Sequence, residues 1–97
     1  MKKLFLSLLF IPILSTAQTI TNSMFFDGIE REYIVYIPAI YDDSKSTPIV
    51  FNFHGGSGYA DGFMSTNDMR PIADTANFIA VYPQGAIDPE GGTTSWI

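Results

Sequence analysis

An α/β fold is predicted from three features of the 97-residue sequence. Two nearly continuous apolar runs, residues 48–53 (PIVFNF) and 78–82 (FIAVY), read as strands buried on both faces, as in a parallel sheet. The segment between them, residues 54–77, is long enough for a crossover helix. Upstream, Asp27-Gly28 is a two-residue hairpin signal between two strand-like runs. Together these predict an antiparallel hairpin leading into a parallel βαβ unit.

The elements follow in chain order. Residues 1–17 read as a cleavable secretory signal. Lys2 and Lys3 form a basic start, residues 4–14 an apolar stretch broken by Pro12, and Ser15-Thr16-Ala17 a small-residue cleavage site before Gln18. The stretch is too short to cross about 30 Å of hydrocarbon as a helix. A buried N-terminal helix or a short anchor is the rival reading. Export to the periplasm or the medium is therefore expected, with no membrane role after cleavage. The absence of cysteine excludes both a lipidated cysteine after the signal and disulfides.

The remaining domain, residues 18–97, carries the fold. Its first strand runs weakly through Ser23-Met24-Phe25-Phe26. The second, Glu32-Tyr33-Ile34-Val35-Tyr36-Ile37, is rich in β-branched and aromatic residues and stops at Pro38. Residues 42–46 are a polar loop. A weak helical turn is expected over residues 60–65, lowered by Gly62. The crossover helix follows, with Asn67 or Asp68 as N-cap, Pro71 in the first turn and Asn77 in the left-handed closing position. Met69, Ile72, Ala73 and Ala76 supply its apolar stripe. From Pro83 onward Gly85, Pro89, Gly91 and Gly92 predict a loop without regular structure.

Charge narrows the partners. The formal charge is −5, and removing Lys2 and Lys3 takes it to −7. An acidic balance repels phosphate backbones and anionic membranes, so nucleic-acid binding is not expected. Hydrophobic residues at 46% and aromatics at 14% suit a packed core and argue against disorder. Residues 18–97 alone would bury only a modest share of their surface, which makes them marginal unless part of something larger.

The chemistry concentrates in His54-Gly55-Gly56-Ser57-Gly58, at the carboxyl end of the first apolar strand, where open α/β sheets bind ligands. A phosphate loop fails, because no lysine follows Lys45. The dinucleotide fingerprint fails on spacing, since Gly56, Gly58 and Gly62 leave one residue too many in the second gap. A nucleophile elbow at Ser57 fails because Tyr59 replaces its last glycine and His54, the only histidine, lies on the same loop. A single histidine without clustered carboxylates is a poor metal site. An oxyanion loop fits best. Backbone N–H groups held ready for a tetrahedral oxyanion need glycine, whose missing Cβ leaves room for substrate and permits unusual backbone angles. One such donor is worth roughly 2.7–4 kcal/mol in the transition state. His54 would tie the loop to neighbouring backbone; the alternative is a turn that merely ends a strand.

Four segments resemble, in order, the secreted polyhydroxybutyrate depolymerase-like and feruloyl esterase-like α/β-hydrolases: residues 31–38, 48–56, 78–85 and Thr94-Ser95-Trp96. The resemblance covers about residues 24–96. It implies the N-terminal part of an α/β-hydrolase fold and hydrolysis of carboxylic esters by a Ser-His-Asp triad, without cofactor or metal. The substrate would be a polyester or a feruloylated or acetylated polysaccharide. Gly56 matches the residue after the family's His-Gly pair, whose N–H is an oxyanion donor. Ser57 adds or orients another, His54 supports the loop, and Tyr59 and Trp96 line the substrate cleft, with ordinary packing as the alternative for both.

In that family nucleophile, acid and base all lie downstream of the Trp96 region. The chain stops at Ile97, where the family usually has a polar residue such as Asn. The resemblance therefore implies about the first third of a catalytic domain, inactive alone, with an incomplete sheet whose strand 78–82 is unpaired on one side as an open apolar edge. Two other readings are a secreted non-catalytic module holding a sugar or aromatic ligand, and a peptidase of the same fold.

Overall fold

The computed structural model describes residues 16–96. The expected signal segment lies, except for Thr16 and Ala17, outside the described residues. No described helix is long and apolar enough to cross a membrane.

β1 (Gln18–Phe26) and β2 (Ile29–Ile37) form the expected hairpin, paired from Phe26↔Ile29 to Gln18↔Ile37. Asp27 and Gly28 both have positive φ, 53° and 75°, the signature of a type I′ turn whose twist matches the strands. β1 starts five residues before the run that predicts it. Its first half has no apolar alternation, and every residue of the strand is exposed. Pairing with β2, not burial, makes it a strand.

β3 (Ile49–Phe51) and β4 (Ile79–Pro83) pair in parallel, as the apolar runs predict. The sheet order is β1-β2-β4-β3. β4 is thus interior: β2 takes its other side, from Tyr33↔Pro83 to Tyr36↔Ala80. The expected open edge on strand 78–82 is corrected, because the hairpin folds back to occupy it. The edges of the four-stranded sheet are β1 and β3.

Two short helices, α1 (Ala60–Thr66) and α2 (Arg70–Ala76), cross one face. Asn67 closes α1 instead of opening α2. Asp68 accepts from the Arg70 backbone N–H at 3.0 Å and grips its guanidinium at 2.8 and 2.7 Å. That hydrogen bonding holds the Asp68 carboxyl down at about 2. Asn77, at φ 60°, ends α2 with its N–H on the Ala73 carbonyl, as expected. Only part of the apolar stripe is covered. Ala73 is fully buried and Met69 packs on the core, but Ile72 is 51% exposed and Ala76 is exposed. Two turns of helix reach the sheet mainly through Ala73.

The core lies between the helices and one sheet face. Ile34 and Tyr36 of β2 and Ala80 and Tyr82 of β4 point into it by strand alternation, meeting Ala60, Ala73 and Phe78. The opposite face, with Val35, Val81, Ile49 and Phe51, borders an open apolar groove of about 360 Å³. Burial on both faces is therefore corrected among the described residues: Ile49 and Phe51 are 53% and 56% exposed. Residues 86–95 also depart from the expected loop. β5 (Ala86–Ile87) and β6 (Thr94–Ser95) form a two-stranded ladder. Its turn is held by Asp88, whose side chain accepts from Glu90 N–H at 2.9 Å, and by Gly92 at φ 69°. Strands of two residues are too short to show a period.

Two buried phenols fasten helices to sheet. Tyr82 donates to the Asn67 carbonyl at 2.6 Å and accepts from the Met69 N–H at 2.8 Å. Tyr36 donates to Asp74 Oδ1 at 2.6 Å. The Asp74 hydrogen bond pushes the Tyr36 phenol above its ordinary 10.0, and burial does the same for Tyr82. A pKa raised by folding gives stability that is complete below the unfolded value and lost as pH climbs through the folded one. Unfolding midpoints in urea are therefore expected to fall above pH 10, and to fall less steeply for Tyr36→Phe than for the parent. Parallel pH profiles for the two would refute this.

Candidate functional site

β3 ends and the chain turns out of the sheet through Asn52, whose N–H still donates to the Val81 carbonyl at 2.8 Å. The segment from Gly55 to Gly58 then forms a turn, with the Gly58 N–H on the Gly55 carbonyl at 3.0 Å. Its third residue, Ser57, has φ 65°, while Gly55 and Gly56 have no positive φ. That hydrogen bond and that order of φ signs match a type II turn, with serine in the position glycine usually takes.

This corrects the expected reason for two glycines. Gly55 and Gly56 are not needed for unusual angles. A Cβ at either would meet nothing within 4 Å, so the space beside them is open. Gly58 and Gly85 are glycines for a different cause. A Cβ at Gly58 would stand 3.0 Å from the Gly55 oxygen, and one at Gly85 would stand 2.9 Å from the Ser95 oxygen and 3.1 Å from the His54 ring.

Donor availability separates the loop amides. The Ser57 N–H donates to the Thr94 carbonyl at 2.8 Å. Ser57 is therefore corrected as an oxyanion donor: its amide is taken by β6, and its contact holds the turn in its strained angle. Among the described residues the Gly55 and Gly56 amides have no acceptor, and both residues are exposed. They border a cleft of about 440 Å³ that also contacts Tyr59, Asp61 and Phe63. Among the described residues Asp61 is the only charged one lining that cleft.

His54 is 3% exposed and fully engaged. Its Nε2 accepts from the Gly85 N–H at 2.8 Å, which places the ring proton on Nδ1, 2.7 Å from the Gly55 carbonyl. The ring thus ties the loop to the strand end after β4. Trp96 caps it: ring centroids are 4.5 Å apart, and the indole Nε1 donates to the His54 carbonyl at 2.8 Å. Trp96 also packs edge-on against Phe53 and borders the apolar groove on the other side of the sheet. Tyr59, 64% exposed, stands on the rim of the glycine cleft. The two aromatics are therefore not neighbours; Trp96 belongs to the loop's support and Tyr59 to the cleft.

Two supports carry no signal as site residues in the sequence reading. Thr94 is 5% exposed, and its Oγ1 donates to the Gly58 carbonyl at 2.6 Å. Gln84 bonds Ala60, Gly58 and Gly85 and contacts His54. The only hint is that Gln84 is a polar residue just past the end of an apolar strand; Thr94 offers none. No group of three or more His, Asp or Glu side chains gathers as a metal site among the described residues. The chain matches no protein-family model and no curated protein.

Proposed function

We propose that this chain is the N-terminal part of a secreted carboxylic-ester hydrolase of α/β-hydrolase type, carrying its oxyanion loop but not its triad. One observation carries the reading: among the described residues the Gly55 and Gly56 amides have no acceptor, and both residues are exposed and line an open cleft at the carboxyl end of a parallel strand. The order β1-β2-β4-β3, with the glycine loop between β3 and a helix, supports it, since the second oxyanion donor of α/β-hydrolases comes from the loop after β3.

In this reading a downstream serine passes its hydroxyl proton to a downstream histidine as its oxygen bonds to an ester carbonyl carbon. The electron pair of the C=O bond moves onto oxygen, and the Gly56 N–H receives that oxyanion. The amide is aimed before reaction by the ties on His54 and Ser57, so the donor costs little reorganisation. Tyr59 lies where the acyl or alcohol part would rest. The substrate is a polyester or a feruloylated or acetylated polysaccharide, acted on outside the cytoplasm.

A second reading, a non-catalytic ligand-binding module, draws on the exposed Tyr59 beside the cleft. The full-length protein from the continuing reading frame separates them. Hydrolysis of p-nitrophenyl acetate, a Gly-x-Ser-x-Gly within about fifty residues after Ile97, then Asp and His, is the expected result. Absence of that serine discards the hydrolase, and preference for a peptide anilide assigns a peptidase.

A further inference from the structure

The amides of Gly55 and Gly56 bond to nothing in the described chain, so their aim depends on what grips the loop on either side. Gln84 stands directly after β4, and its own N–H donates to the Glu32 carbonyl of β2 at 2.9 Å. Its backbone is therefore anchored to the sheet. Its side-chain orientation is fixed by chemistry. Oε1 lies 2.7 Å from the Ala60 N–H, which can only donate. Nε2 then faces two acceptors, the Gly85 carbonyl at 3.2 Å and the Gly58 carbonyl at 3.3 Å, and lies 3.2 Å from His54 Nε2, whose lone pair the Gly85 N–H takes. Both bonds are long, but one amide packs against the ring at the loop's entry, bonds the carbonyl at its exit and accepts from the first N–H of α1.

We infer that Gln84 is a positioning residue for the oxyanion loop, holding the entry at His54 and the exit at Gly58 so that the Gly56 amide points into the cleft. This rests on the esterase reading. Among the described residues the loop's other side-chain grips are the His54 ring on the Gly55 carbonyl, Thr94 on the Gly58 carbonyl and Trp96 on the His54 carbonyl. Removing the amide frees His54 and Gly58 to shift relative to each other, and the donors move with them. Gln84 has no reach requirement toward substrate in this role. Its loss should spare substrate binding and impair the chemical step.

The test uses the full-length protein carrying Gln84→Met, which keeps length and removes both hydrogen-bonding ends. Gln84→Glu is the second variant; it keeps the acceptor for Ala60 and loses the donor. Expected for p-nitrophenyl acetate is a kcat lower by roughly tenfold or more, short of the ~10²-fold that a 1 Å misplacement can cost, with KM within about twofold. The His54 Nε2 and the Gly55 and Gly56 amide resonances should shift in 15N spectra while the rest of the spectrum stays in place. Unchanged kcat in a folded variant overturns the inference, as does a loss equal in kcat and 1/KM. If the parent protein hydrolyses no ester, the esterase reading fails. The spectra then decide the positioning role by themselves: unmoved His54, Gly55 and Gly56 signals in a folded variant refute it.

Discussion

Gly56→Pro is expected to lower kcat of the full-length protein by roughly 10²–10³-fold, the usual cost of deleting one oxyanion donor. The substitution is chosen from the turn geometry. Gly56 is the second residue of a type II turn, where proline's fixed φ is favoured, and its N–H has no acceptor to lose among the described residues. Proline therefore removes the donor while keeping the turn. Gly56→Ala is the control, because it keeps the N–H and adds a Cβ that meets nothing within 4 Å. A ratio of the two kcat values near one would mean that the amide does no work. Equal loss in both would mean that the cleft needs space, not a donor.

Tyr82→Ala is expected to cost about 3–5 kcal/mol, as large aromatic truncations in cores do. Tyr82 is fully buried on the central strand and touches Phe63 of α1 ring to ring at 6.2 Å. Its hydroxyl also joins the Asn67 carbonyl to the Met69 N–H, the link between the helices. Tyr82→Phe isolates that part. It leaves both backbone groups without their partner, about 1–3 kcal/mol. Small domains have only about 5–15 kcal/mol in hand, so the alanine variant should populate unfolded chain at room temperature. Chemical denaturation followed by far-UV circular dichroism measures both. A Tyr82→Phe variant as stable as the parent would show that the hydroxyl bonds are replaced by water.

The hairpin, the two parallel strands and the crossover helices were all legible in the sequence, each through a local rule. Asp27-Gly28 is legible because a type I′ turn needs positive φ at both positions. Asn77 is legible as a helix end because it tolerates the same region. The loop after Pro83 misleads because β5 and β6 are too short to carry a pattern. Burial on both faces misleads because apolar runs state what a strand tolerates, not what covers it. β4 is no open edge because its pairing with β2 is a long-range event that no window of residues contains.

The candidate site divides in the same way. His-Gly-Gly after an apolar strand marks the place, and the sequence alone determined it, since strand end, glycine and histidine are neighbours in the chain. Which amides remain open was decided only in three dimensions. Ser57 loses its N–H to Thr94, and His54 accepts from Gly85, 31 residues away. A hydrogen bond is taken or free according to what folding brings within 3 Å of it, and that distance is a property of the tertiary structure, not of the sequence around the donor.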